Sequence, residues 1–181
     1  MVRHLHSIMK KIVLLLCVLF GMSSCSSKEN ERPIDNRTVS ELNISRFMGK
    51  WYEIARYEHR FEKDMTHVSA TYTLRDDGKI EVLNEGYKNG ELQQIKGRAK
   101  QPDAADPGKL KVSFFLWFYS DYYILEVGAD YDYVLVGSST DKYLWIMYRE
   151  KQMPQQLLDE LLEKLRARGY DTGRLLFVNQ K

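Results

Sequence analysis

The sequence predicts an all-β protein: an eight-stranded antiparallel up-and-down barrel with a C-terminal α-helix packed on its outer wall. Three observations carry that prediction. Short segments with two-residue apolar periodicity follow one another from Gly49 to Arg149, separated by tight-turn residues. The first of them, "GKWYEIARY", is apolar on both faces, so each side needs a cover. Near the C-terminus the period changes once, to a single leucine stripe at helical spacing. With about eight short strands, closing the sheet removes its exposed edges.

The 181-residue chain opens on Arg3, Lys10 and Lys11, then "IVLLLCVLFGM", then "SSC" ending at Cys25. A basic start, an apolar run well short of the roughly 20 residues of a spanning helix, and small residues before a cut read as a signal peptide over 1–24. A cysteine directly after those small residues resembles the lipobox of bacterial lipoproteins. That resemblance implies that Cys25 becomes an acylated N-terminus and anchors the protein to a membrane. With no acidic residue directly after Cys25, it further implies the outer membrane. Residues 25–40, beginning "CSSKENERP", read as a polar tether, and 41–181 as the folded domain. Cys17 leaves with the signal and Cys25 is acylated, so the fold is expected to stand without a disulfide. The cut also removes three of the 27 basic residues. The remaining 24 against 25 acidic residues give a net charge of −1 and no electrostatic case for nucleic acid.

Within the domain, "THVSATYTLRDDGKIEVLNEGY" is two strands around Asp76-Asp77-Gly78, and the next turn falls at Asn89-Gly90. Four more strands run from Lys109 to Glu150, broken near Ser120-Asp121, Gly128-Ala129-Asp130 and Ser138 to Lys142. Leu157, Leu158, Leu161, Leu162 and Leu165 form the helical stripe, with Pro154 at its start and Gly169 at its C-terminal cap. The helix is expected over Tyr52, Ile54, Val134, Val136, Leu144, Ile146 and Tyr148. A last strand, Arg174 to Val178, is expected to pair beside the first.

Gly49-Lys50-Trp51 matches the G-x-W signature of lipocalins, a second lipocalin motif lies at Asp130-Tyr131, and a third is Arg149 ending "YLWIMYR". In order and spacing the chain resembles the lipocalin family, and within it the bacterial outer-membrane lipoproteins and apolipoprotein D. The likeness runs from about Ile44 to Gln180 and includes "WYEIARYEHRFE", "LKVSFF" and "YLWI". It implies structural roles for Gly49, Trp51 and Arg149: a tight turn, a ring closing the narrow end, and a guanidinium packed over that ring.

The resemblance also implies a barrel that holds a small lipophilic ligand. Parity from Trp51 places Glu53, Ala55 and Tyr57 inside, and parity from Arg149 places Trp145 and Met147 inside. Val68, Ala70, Tyr72 and Leu74 share one face, as do Leu110, Val112, Phe114 and Leu116. Such an interior suits a fatty acid or lysophospholipid, whose sixteen-carbon chain gains roughly 13 kcal/mol gross at ~0.8 kcal/mol per buried methylene. The expected ligand contacts are Trp145, Tyr119, Met147, Phe114, Tyr57 and Glu53. Matching "YLWI" and "FYSDY" to the bacterial subgroup makes Trp145 a wall residue and Tyr119 the head-group contact; Glu53, Tyr57, Tyr119 and Tyr122 lie toward the mouth. Leu116-Trp117 replaces a Gly-Pro pair common in those relatives.

Three other readings stay open at this level: a plugged barrel serving as an interaction module, a lipocalin-fold enzyme, and a haem carrier. An enzyme finds little support, because lipocalin-fold isomerases use a barrel thiol and none remains here. His59 and His67 offer one His/Glu pairing in what reads as a solvated loop. No metal site or cofactor is expected. Exposed Trp117 and Phe118 offer a homodimer contact.

Overall fold

A computed structural model describes residues 33–181; the expected signal peptide, Cys25 and most of the expected tether lie outside the described residues. A short helix α1 (Ile44–Phe47) leads into strands β1 (Gly49–Tyr57), β2 (Thr66–Leu74), β3 (Ile80–Lys88), β4 (Glu91–Lys100), β5 (Lys109–Phe115), β6 (Phe118–Val127), β7 (Tyr133–Gly137) and β8 (Trp145–Tyr148). Helix α2 (Gln155–Ala167) and strand β9 (Leu175–Phe177) follow. Every neighbouring pair is antiparallel, and β1 pairs with both β8 and β2, so the sheet of β1–β8 closes on itself. The expected barrel, helix and last strand are all present.

Turn chemistry follows the residues. Asn89 and Gly90 both take positive φ, 53° and 80°, as a two-residue hairpin turn of matching twist requires. Gly49 enters β1 at φ +92°, with the Arg149 guanidinium 3.3 Å from where a Cβ would stand.

The closure is uneven along β1. Its first half pairs with β2 at Gly49 to Tyr52, and its second half pairs with β9 at Ala55 to Tyr57. Where β1 and β2 part, the C-terminal tail fills the seam. The Gln180 amide donates to the carbonyls of Glu53 and Val68, both at 2.8 Å, and the His67 amide donates to Asn179 at 2.7 Å. Buried backbone acceptors thereby find partners without a strand ladder.

Two apolar clusters lie on opposite sides of the wall. Inside are Phe47, Trp51, Ala70, Tyr72, Val82, Leu110, Ile124, Val134, Val136 and Met147, among others. Outside, under α2, are Ile54, Leu135, Leu144 and Ile146 with fully buried Leu161 and Leu165. Three placements differ from the sequence reading. The β5–β6 turn falls at Leu116-Trp117 rather than near Ser120-Asp121, so Leu116 leaves the face it was expected to share with Leu110, Val112 and Phe114. Val134 and Val136 line the interior rather than the helix face, because they pair with Met147 and Trp145 on β8; Leu135 takes the place under α2. Ala55 and Tyr57 leave the interior, because the β1–β8 register shifts between Glu53 and Ala55. A bulge of one residue inverts the parity of everything beyond it.

Candidate functional site in the barrel mouth

The narrow end is sealed by the residues that the motifs mark. The Trp51 ring is fully buried, donates through Nε1 to the Phe47 carbonyl at 2.8 Å, and carries the Arg149 guanidinium 3.7 Å from its centroid. Arg149 also donates to the carbonyls of Arg46 (2.8 Å), Lys50 (3.0 Å) and Tyr131 (3.0 Å), tying α1, β1 and the β6–β7 turn into one plug.

The other end is built differently. The bulge that turns Tyr57 outward turns Arg56 inward, beside Glu53, where only 1 % and 3 % of their surfaces remain exposed. Arg56 donates through Nη1 to Glu53 at 3.3 Å and through Nη2 to the Glu62 carbonyl, drawing the β1–β2 connection into the mouth. The Glu62 carboxylate approaches Arg56 Nε at 3.5 Å and His59 Nε2 at 3.0 Å. Two carboxylates thus share one buried guanidinium. Burial above all, and then the Glu62 charge, push the Glu53 carboxyl well above its usual 4.5, against the pull of Arg56.

Aromatic rings surround this cluster. Trp145 stacks on Tyr143 at 5.8 Å with 4° between planes, and the His59 ring meets the edges of both. Deeper, the Tyr72 and Tyr122 hydroxyls lie 2.7 Å apart, and Tyr122 donates to the Met147 sulfur at 3.7 Å. Burial raises the pKa of both phenols, so they stay protonated donors. On the far wall Phe114 packs its ring over Gly97, where a Cβ would stand 2.6 Å from it. Inward-facing Ile95 is still 50 % exposed, and Val112, Phe114 and Trp145 are partly so. The barrel is therefore filled at its base and open toward β4–β6.

With this geometry the comparisons with known proteins agree. The lipocalin-like domain family matches residues 42–180. The chain belongs to the lipocalin family. It is 36% identical over 176 residues to the outer membrane lipoprotein Blc of Vibrio cholerae, covering 96% of this chain and 100% of that one. It is 31% identical over 185 residues to mouse apolipoprotein D, covering 95% and 96%. Among solved structures, insecticyanin from the tobacco hornworm superposes with a TM-score of 0.66 at 22% identity, over 80% of this chain and 84% of that one, a likeness of fold. Within that family its relatives include the outer-membrane lipoproteins Blc and apolipoprotein D.

In this lipocalin, four of the six expected ligand contacts face the interior: Trp145, Met147, Phe114 and Glu53. Two do not. Tyr57 stands on the outer wall, where its hydroxyl donates to the Asp171 carbonyl at 3.1 Å under the Arg174 guanidinium. Tyr119 is also outside, because interior Tyr122 and Ile124 fix the parity of β6; its ring lies under Lys100, 4.5 Å away. Arg56 and Glu62 escaped the sequence reading, and His59 was read as solvent-facing. One signal pointed to Arg56. Opposite charges three apart in a strand covered on both faces can meet only across a bulge. Among the described residues, no cluster of three or more His, Cys, Asp or Glu side chains could hold a metal ion.

Proposed function

We propose that this lipocalin is a non-catalytic lipid carrier of the outer membrane, anchored through Cys25, that takes a fatty acid or lysophospholipid for storage or transport in membrane maintenance. The observation that carries the reading is the graded interior: a packed apolar base of Ile80, Val82, Ala99, Leu110, Val136 and Met147, above which partly exposed Ile95, Val112, Phe114 and Trp145 meet a mouth of charged and aromatic groups. An acyl chain entering on the open β4–β6 side lies against Ile95, Val112 and Phe114, above the packed base. Its head group then lies by Trp145, Tyr143 and His59, groups that combine flat apolar faces with polar edges. Tyr72 and Tyr122 satisfy each other, so the interior asks little of a ligand beyond apolar surface.

The test is calorimetric titration of delipidated, folded protein with fatty acids and lysophospholipids of decreasing chain length. Affinity is expected to fall stepwise as methylenes are removed, each worth up to ~0.8 kcal/mol. No binding at any length would leave the barrel a plugged scaffold.

A further inference from the structure

We propose that the open end of the barrel docks on the bilayer that holds the anchor, with the β5–β6 hairpin tip inserted among the lipids. Four consecutive apolar side chains make that tip: Phe115, Leu116, Trp117 and Phe118, between 52% and 71% exposed, with the Trp117 and Phe118 rings stacked on each other. Leu116 sits at φ +50°, in the left-handed region that a side chain disfavours. A protruding hairpin is convex, and a convex apolar tip fits a fluid interface better than it fits a rigid partner.

Its surroundings fit the same occupant. Lys96, Arg98 and Lys100 alternate along the outer face of β4 directly beside the tip, and Arg98 donates to the Leu116 carbonyl. Glu81 stands opposite Arg98, which leaves Lys96, Arg98 and Lys100 in excess of that one acid. Cations beside exposed aromatics suit phospholipid phosphates and anionic head groups. Phe61, 68% exposed beneath Arg60, adds a second apolar point at the same end, since the connections after β1 and β5 both lie opposite the Trp51 plug. Of the large apolar side chains exposed among the described residues, only Leu74 lies at the closed end.

The tether agrees with this orientation. The described chain starts beside the open end, where Asn36 donates to the Ser139 carbonyl (3.1 Å) in the β7–β8 connection. From Cys25 to Pro33 the chain reaches at most about 28 Å. The inference stands whatever lipid the barrel accepts.

Full-length, anchored protein in vesicles of mixed zwitterionic and anionic phospholipid, with bromine atoms high on the acyl chains, tests the proposal. Subtracting the emission of Trp117→Phe, which circular dichroism must show folded, isolates Trp117 from Trp51 and Trp145. The Trp117 component is expected to be blue-shifted and to lose most of its intensity to the bromines. Lys96→Glu with Arg98→Glu should restore much of that intensity in anionic vesicles and change little in purely zwitterionic ones. A water-exposed, unquenched Trp117 overturns the proposal. So does a blue-shifted but unquenched Trp117 in a protein that sediments as a dimer, which would assign the tip to a second copy.

Discussion

The sealed end gives the most direct test of how the marked residues act together. In Trp51→Ala a fully buried indole disappears, together with its bond to the Phe47 carbonyl and its contact with Phe47, 5.3 Å between centroids. Core aromatic truncations of this kind cost about 3–5 kcal/mol. Arg149→Ala removes the cation over the ring, worth about 0.5–2 kcal/mol, and leaves the carbonyls of Arg46, Lys50 and Tyr131 without that donor. At about 0.5–1.5 kcal/mol for each net hydrogen bond, discounted for partial exposure, the single substitution should cost about 2–4 kcal/mol. The cation–π contact is lost in either single variant, so the double variant should fall short of the sum by about 0.5–2 kcal/mol. Urea titration of delipidated protein, with wild type, both singles and the double at equal m-values, measures that shortfall. Additivity within about 0.3–0.5 kcal/mol would refute the coupling, since separated sites add to that precision.

Other expectations follow from the same geometry. A carboxyl whose folded pKa is raised costs stability as pH climbs: below 4.5 both states hold the proton, and the penalty grows from there up to the folded value. Glu53→Gln carries no such proton, so its stability relative to wild type should improve with pH across that window, and a flat difference in pH-dependent denaturation would refute the account. Cys25→Ala should move the protein from the membrane fraction to the soluble one, because the hairpin and collar alone hold it less firmly than several acyl chains; unchanged fractionation of a processed chain would sink the anchor. Trp145→Ala should weaken fatty-acid binding in calorimetry while Tyr119→Phe leaves it unchanged, since only the first ring faces the interior. Leu116→Gly should raise the urea midpoint, relieving about 1 kcal/mol of left-handed backbone strain net of glycine's greater freedom when unfolded.

Most of the fold was legible because local signals agreed with one another. The Asn89-Gly90 turn, the strand alternation and the leucine stripe each carry their own physical reason, and the G-x-W, Asp130-Tyr131 and Arg149 signals converge on one contact. The mouth was less legible because parity counting assumes an unbroken ladder. The bulge after Glu53 exchanged Tyr57 for Arg56 at the interior, and no local residue preference marks it. Tyr119 was a different matter: a strand break was expected near Ser120-Asp121, but β6 runs unbroken from Phe118 to Val127, and within one strand Tyr119 cannot share a face with Tyr122. His59 and Glu62 belong to a connection whose path is set by a hydrogen bond from Arg56, a tertiary contact invisible to periodicity.

The two ends of the barrel also differ in what they leave unpaid. At the closed end the buried indole N–H and the guanidinium find acceptors, and one non-glycine residue, Tyr131, takes a positive φ. The open end holds the other four described non-glycine residues with positive φ: Asp64, His67, Asn89 and Leu116. Toward it too lie His59 Nδ1 and Asn84 Oδ1, buried without a hydrogen bond, and Arg56 Nε, His59 Nε2 and a Glu62 oxygen, which meet as close charges at 3.0–3.5 Å without hydrogen-bond geometry. Each buried atom without a hydrogen bond costs about 1–3 kcal/mol, and each strained residue a similar amount. A fold keeps such costs only where the structure overdetermines them, and those sites cluster where ligands bind and surfaces meet. In this lipocalin they gather around one opening, between the acidic pair that narrows the barrel and the aromatic tip that faces outward. Under the proposed function a lipid entering the barrel crosses that boundary, and these buried polar groups are the ones its head group meets there.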